Sequence, residues 1–64
     1  MRIKLHHPVR EVELQGPKPV LSILSKLGLS REAHLVICND ALVTEDAMIA
    51  DEAVIEIRPV ISGG

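Results

Sequence analysis

Only one stretch of this chain repeats its apolar residues at a helical spacing. Val20, Ile23, Leu24 and Leu27 fall on a single stripe, with Ser22, Ser25 and Lys26 opposite them. The breaker cluster Gly16-Pro17-Lys18-Pro19 precedes the stripe and Gly28 follows it. Pro19 suits the first turn of a helix, where its missing N–H has no helical partner, and Gly28 suits the stop. The rest of the chain is patterned mainly for strands, so the fold must wrap a sheet over one short helix.

Arg2 to His7 alternates polar and apolar residues and reads as a half-buried strand that Pro8 ends. A second alternation starts at Val9 or Arg10 and runs to Gln15, with Val12 and Leu14 on one face and Glu11 and Glu13 on the other. The two make an opening hairpin. After the helix, Leu35-Val36-Ile37-Cys38 is continuously apolar, which requires cover on both faces. Asn39-Asp40 marks a turn, and Ala41-Leu42-Val43 reads as a short return strand. Thr44-Glu45-Asp46 reads as the start of a short helical turn carrying Met48 and Ile49, with Asp51-Glu52 turning the chain beyond it. Val54 to Val60 is the last strand, with Ile55 and Ile57 on one face and Glu56 and Arg58 on the other. This order predicts an α+β fold of the β-grasp (ubiquitin-like) type, a mixed sheet packed on one main helix with the last strand central. The expected domain spans residues 1–61, leaving 62–64 as a flexible tail.

A chain of 64 residues has room for one domain and a thin core. With 47% apolar residues and no Phe, Tyr or Trp, that core must be aliphatic. One cysteine, Cys38, has no partner for an internal disulfide, and no apolar run approaches the roughly 20 residues of a membrane span. The N-terminal segment alternates at once and does not resemble a signal peptide, so the expectation is a soluble, unprocessed cytoplasmic protein. Seven basic against nine acidic residues give a formal charge of -2 with the basic residues scattered, which argues against direct nucleic-acid binding.

Among residues that invite a catalytic reading, Cys38 at the end of an apolar strand is better taken as a small core hydrophobe. His6 and His7 are adjacent on a strand and so point to opposite faces, which separates them as ligands even with His34 added; no metal site is expected. The acidic pairs Glu45-Asp46 and Asp51-Glu52 sit in turns, where solvated carboxylates are ordinary.

The sequence closes on Arg58-Pro59-Val60-Ile61-Ser62-Gly63-Gly64. Two terminal glycines make a strip thin enough for a narrow, side-chain-free channel. Together with Leu24 and Leu27 on the helix, the Asn39-Asp40 turn before Leu42-Val43, and Asp51 before Val54-Ile55-Glu56-Ile57, this end resembles the ThiS/MoaD sulfur carriers, relatives of ubiquitin. The short chain is more similar to the ThiS side.

The resemblance implies that Gly64 is adenylated by a ubiquitin-activating-type adenylyltransferase using ATP and then converted to a thiocarboxylate. The sulfur would come from a persulfide donor, supplied by a cysteine desulfurase or rhodanese. Gly63 and Ser62 would thread the tail into the partner enzyme. The product would pass sulfur to an accepting synthase for thiamine thiazole or tRNA thiouridine, the chain being a cosubstrate with no bound cofactor and no enzyme activity of its own. A molybdopterin synthase small subunit and a protein modifier forming isopeptide bonds are the alternatives. By comparison with ubiquitin-like folds, Val36 and Cys38 would face the helix and Leu35 and Ile37 would face outward. Leu35, Ile37, Arg58, Val60 and Ile61 would then form the partner surface.

Overall fold

In the computed structural model, which describes residues 1–6 and 9–60, the strands and helix follow the order β1 (Arg2–Leu5), β2 (Arg10–Glu13), β3 (Lys18–Pro19), α1 (Val20–Leu27), β4 (His34–Cys38), β5 (Ala41–Leu42), β6 (Met48–Ile49) and β7 (Val54–Pro59). Five of the strands form one mixed sheet in the order β2-β1-β7-β4-β5. β1 and β7 run parallel, with Ile3 opposite Ile55 and Leu5 opposite Ile57, and every other pair in this sheet is antiparallel. The β-grasp architecture and the central place of the last strand are both realised.

Period-two alternation in β1 and β7 turns Ile3, Leu5, Ile55 and Ile57 to the same side of the sheet. There they meet Val20, Ile23 and Leu24 of α1, with Val36, Ile49 and Met1 completing the core. Ile23 and Ile3 are wholly buried, and among the described residues no polar side chain is buried with them. Cys38 packs against this cluster from the end of β4, half-buried and paired with Ile55 and Ala41.

The helix ends are held by backbone alone. Gly28 adopts the left-handed conformation at φ 71° and ψ 28°, and its N–H donates to the Ser25 carbonyl at 3.1 Å. The Leu29 N–H reaches the Leu24 carbonyl at 2.9 Å, which completes a Schellman stop. At the other end Pro19 occupies the cap position, one residue before the first turn where it was expected, and offers no side-chain cap. The N–H groups of Val20 and Leu21 donate instead to the carbonyls of Ala47 and Glu45, both at 2.9 Å.

That arrangement corrects the reading of residues 44–49 as a helical turn. The carbonyls of Glu45 and Ala47 are committed to capping α1. The Thr44 hydroxyl donates to the Asp46 carboxylate at 2.5 Å, and the Ala47 N–H donates to the Thr44 carbonyl, closing a tight turn. Met48 and Ile49 are extended as β6, exposed and buried in alternation, and pair antiparallel with β3. Lys18–Pro19, expected within a breaker, pairs as β3, and the other differences are at strand ends: β1 stops at Leu5, β2 at Glu13, β5 at Leu42 and β7 at Pro59, and β4 starts at His34. His7 and Pro8 of the expected hairpin turn, and the boundary expected at residues 61 and 62, lie outside the described residues.

Gly16 is fixed by a close approach. Its N–H donates to Asp51 Oδ1 at 2.7 Å, and a Cβ there would meet the Met1 side chain at 2.6 Å and the Asp51 Cα at 3.1 Å. The Asp51 carboxylate thus has a structural task.

Two substitutions test this account by urea denaturation. Ile57→Ala opens a cavity against α1 and should cost about 2 to 5 kcal/mol, whereas Ile57→Val should cost about 0.5 to 1.5 kcal/mol. Gly28→Ala meets no atom within 4 Å, so its loss, about 1 to 2 kcal/mol, should come from the left-handed backbone alone.

Candidate functional site: the outer face of the sheet

The same alternation that fills the core sends the other half of each strand to the face away from α1. Reading across the ladder, Glu11 of β2 stands opposite Lys4 of β1, Lys4 opposite Glu56 of β7, Glu56 opposite Ile37 of β4, and Ile37 opposite Leu42 of β5. The face is therefore divided. On its β2-β1-β7 side the row Glu11–Lys4–Glu56 alternates acid and base and the next row runs Glu13–Arg2–Val54, and its β4-β5 side is aliphatic.

On the aliphatic side Leu35 is 44% exposed and Leu42 is 66% exposed, while Ile37 between them is half-buried. Arg58 sits opposite Leu35, and Val60 follows Pro59 with its N–H donated to the Ala33 carbonyl at 2.8 Å. The structure thus gathers Leu35, Ile37, Arg58 and Val60 at the β4-β7 seam, with Val36 buried on the opposite face as expected. Leu42 also belongs to this face and was not anticipated there. The signal was present: a two-residue turn at Asn39-Asp40 places Leu42 opposite Ile37. Both turn residues have positive φ, 53° and 65°, as such a tight hairpin requires.

On the charged side, His6 Nε2 donates to Glu56 Oε2 at 2.5 Å, and Arg58 Nε lies 3.9 Å from the same oxygen. The His6 hydrogen bond, followed by the charges of Arg58 and Lys4, holds the Glu56 carboxyl below its ordinary value. His34 spends its Nδ1–H on the Ser30 carbonyl at 2.9 Å. His6 and His34 therefore serve separate local contacts, and no cluster of three metal-ligating side chains occurs among the described residues. His7 lies outside those residues, as do Ile61, Ser62, Gly63 and Gly64. Glu45 is paired with Arg31, and Asp46 with the Thr44 hydroxyl.

No protein-family model matches the chain. Among curated proteins it is similar to the sulfur carrier protein TtuB of Thermus thermophilus, 35% identical over 65 aligned residues that cover the whole of both chains.

The two faces of β4 should respond differently to one change. Ile37→Lys, which stands opposite Glu56, should alter the urea midpoint little, whereas Val36→Lys places a charge in the core and should unfold the domain. The Glu56 contribution has a definite pH sign: because its folded pKa is lowered, it is present above the ordinary carboxylate range and is lost as pH falls through the folded value. Urea midpoints taken from pH 7 to pH 3 should accordingly fall less steeply in acid for Glu56→Gln than for the unaltered chain.

Proposed function

Because this chain belongs to the ThiS/MoaD family of ubiquitin-like sulfur carrier proteins, we propose that it carries sulfur as a thiocarboxylate on Gly64. The observation that carries this reading is the full-length similarity to a sulfur carrier protein, joined to a sequence that closes on Ser62-Gly63-Gly64.

A carboxylate is a poor electrophile because its leaving group is an oxide. Attack by a Gly64 oxygen on the α-phosphate of ATP, in the active site of an adenylyltransferase, expels pyrophosphate and leaves an acyl-adenylate whose leaving group is AMP. The terminal sulfur of a protein persulfide then attacks the acyl carbon and AMP departs, giving an acyl disulfide. A thiol reduces that disulfide, and the sulfur stays on Gly64 as a thiocarboxylate. The chain acts as a cosubstrate, and the chemistry belongs to its partners.

The fold supplies two things to this scheme. β7 lies at the centre of the sheet, paired with β1 as far as Ile57 and with β4 as far as Pro59, and the Val60 N–H donates to the Ala33 carbonyl, so the segment that leads to the tail is held on its β4 side. The β4-β7 seam beside it, with Leu35, Ile37, Arg58 and Val60, offers an aliphatic patch with one cation for the partner enzymes to grip. Ile61 and Ser62 would extend from that patch, and Gly63 would pass the narrowest part of the partner's channel. The sulfur acceptor we favour is the thiamine thiazole or a tRNA thiouridine, on the ground that a chain of 64 residues has little room for the additional surface that a molybdopterin synthase small subunit presents. Deleting the gene and assaying thiamine dependence, thiolated nucleosides and molybdoenzyme activity separates these acceptors.

Incubation with the adenylyltransferase, ATP and a persulfide donor should give an intact mass in which one oxygen is replaced by sulfur at Gly64. Gly63→Val should abolish ATP–pyrophosphate exchange while leaving the urea midpoint unchanged, since among the described residues the ten that form the buried core run from Met1 to Ile57. Full exchange with Gly63→Val would show that the tail is not the group adenylated.

A further inference from the structure

On the opposite edge of β4 from the tail strand lies a groove of about 570 Å³ that the thiocarboxylate chemistry does not use. Val20 and Leu24 of α1 and Val36 and Val43 supply its apolar walls, and Arg31, Glu45 and Asp46 stand along it. Arg31 and Glu45 neutralise one another in an ion pair. Asp46 makes no ion pair among the described residues. The Thr44 hydroxyl bonds to it and holds its carboxyl below the ordinary value, so it remains anionic.

β5 borders this groove and is the last strand of its sheet. Cys38 pairs with Ala41 across the hairpin turn, and the Val43 N–H donates to the Val36 carbonyl at 3.0 Å. In an antiparallel ladder hydrogen-bonded and non-bonded pairs alternate, so Leu42, between these two, directs its N–H and C=O away from β4 toward the open edge. An edge with outward backbone groups beside an apolar groove is the arrangement to which an extended peptide adds as a strand.

Charge selects the occupant. Of the acids and bases that line the groove, Arg31 and Glu45 cancel in their ion pair and the Asp46 carboxylate is left uncompensated. A second copy would bring a second Asp46 to the same edge, whereas a basic segment supplies the counter-charge. We propose that this edge is a docking site for an extended, basic segment of a partner protein, which pairs with Leu42 as a sixth strand, seats an apolar side chain between α1 and β4, and sets a lysine or arginine against Asp46. The groove shares Leu35 with the β4-β7 patch, while the pairing at Leu42 and the charge at Asp46 do not require sulfur on Gly64.

The test is a backbone-amide NMR titration of the full chain with an acetylated, amidated octapeptide of alternating valine and lysine, and with its valine–glutamate counterpart. The lysine peptide should give saturable shifts confined to Ala41–Thr44, Val20 and Leu24, and should bind roughly tenfold more tightly than the glutamate peptide. Asp46→Asn should reduce that preference. Leu42→Pro removes an N–H that faces outward, a position where proline is tolerated at a sheet edge, and should abolish binding while the remaining amide spectrum stays dispersed. Leu42→Ala keeps the N–H and should retain binding. Absence of saturable shifts, equal binding of the two peptides, shifts centred on Ile37 and Arg58 or on β2, or shifts that follow protein concentration without peptide would each overturn the proposal.

Discussion

The structure depends on one strand being held from both sides. β7 is hydrogen-bonded to β1 and β4 at once, and its Ile55 and Ile57 are buried against the single helix. In a small domain with no aromatic side chains, such doubly paired aliphatic positions must supply most of the burial that offsets chain entropy. The same strand fixes what the outer face can be, because every inward isoleucine obliges its neighbours Glu56 and Arg58 to face solvent. Core and surface are two readings of one alternation.

Much of this was legible in the sequence. α1 was announced by its stripe and by Pro19 and Gly28 at its ends, and β1, β4 and β7 by alternation or continuous apolarity between turn residues. The phase of β4, with Val36 in and Leu35 and Ile37 out, was also available, though through likeness to ubiquitin-like folds and not from the run itself, which is apolar at every position. What escaped was non-local. β3 and β6 are two residues each and about thirty positions apart, so neither leaves a periodic trace, and each exists because the other is there. Residues 44–49 have helix-compatible composition, yet their carbonyls are drawn off to cap α1, a demand that only the assembled fold makes.

For the candidate site, the seam of Leu35, Ile37, Arg58 and Val60 was readable because it lies on two long strands. The place of Leu42 beside it required the hairpin register, and the groove behind β5 required knowing that β5 is an edge. Sequence patterning reports which residues share a face of their own strand. It reports much less of which strand ends the sheet.

The parallel pairing of β1 with β7 also bears on how the chain is made. β1 spans Arg2–Leu5 and β7 spans Val54–Pro59, so the strand synthesised first cannot find its neighbour until nearly the whole domain has left the ribosome. Until then the inward faces of Ile3 and Leu5 have only β2 beside them, and α1 has no sheet centre to lie on. The sheet therefore cannot be completed until residues 54–59 join it, because β7 is the strand that links β1 to β4.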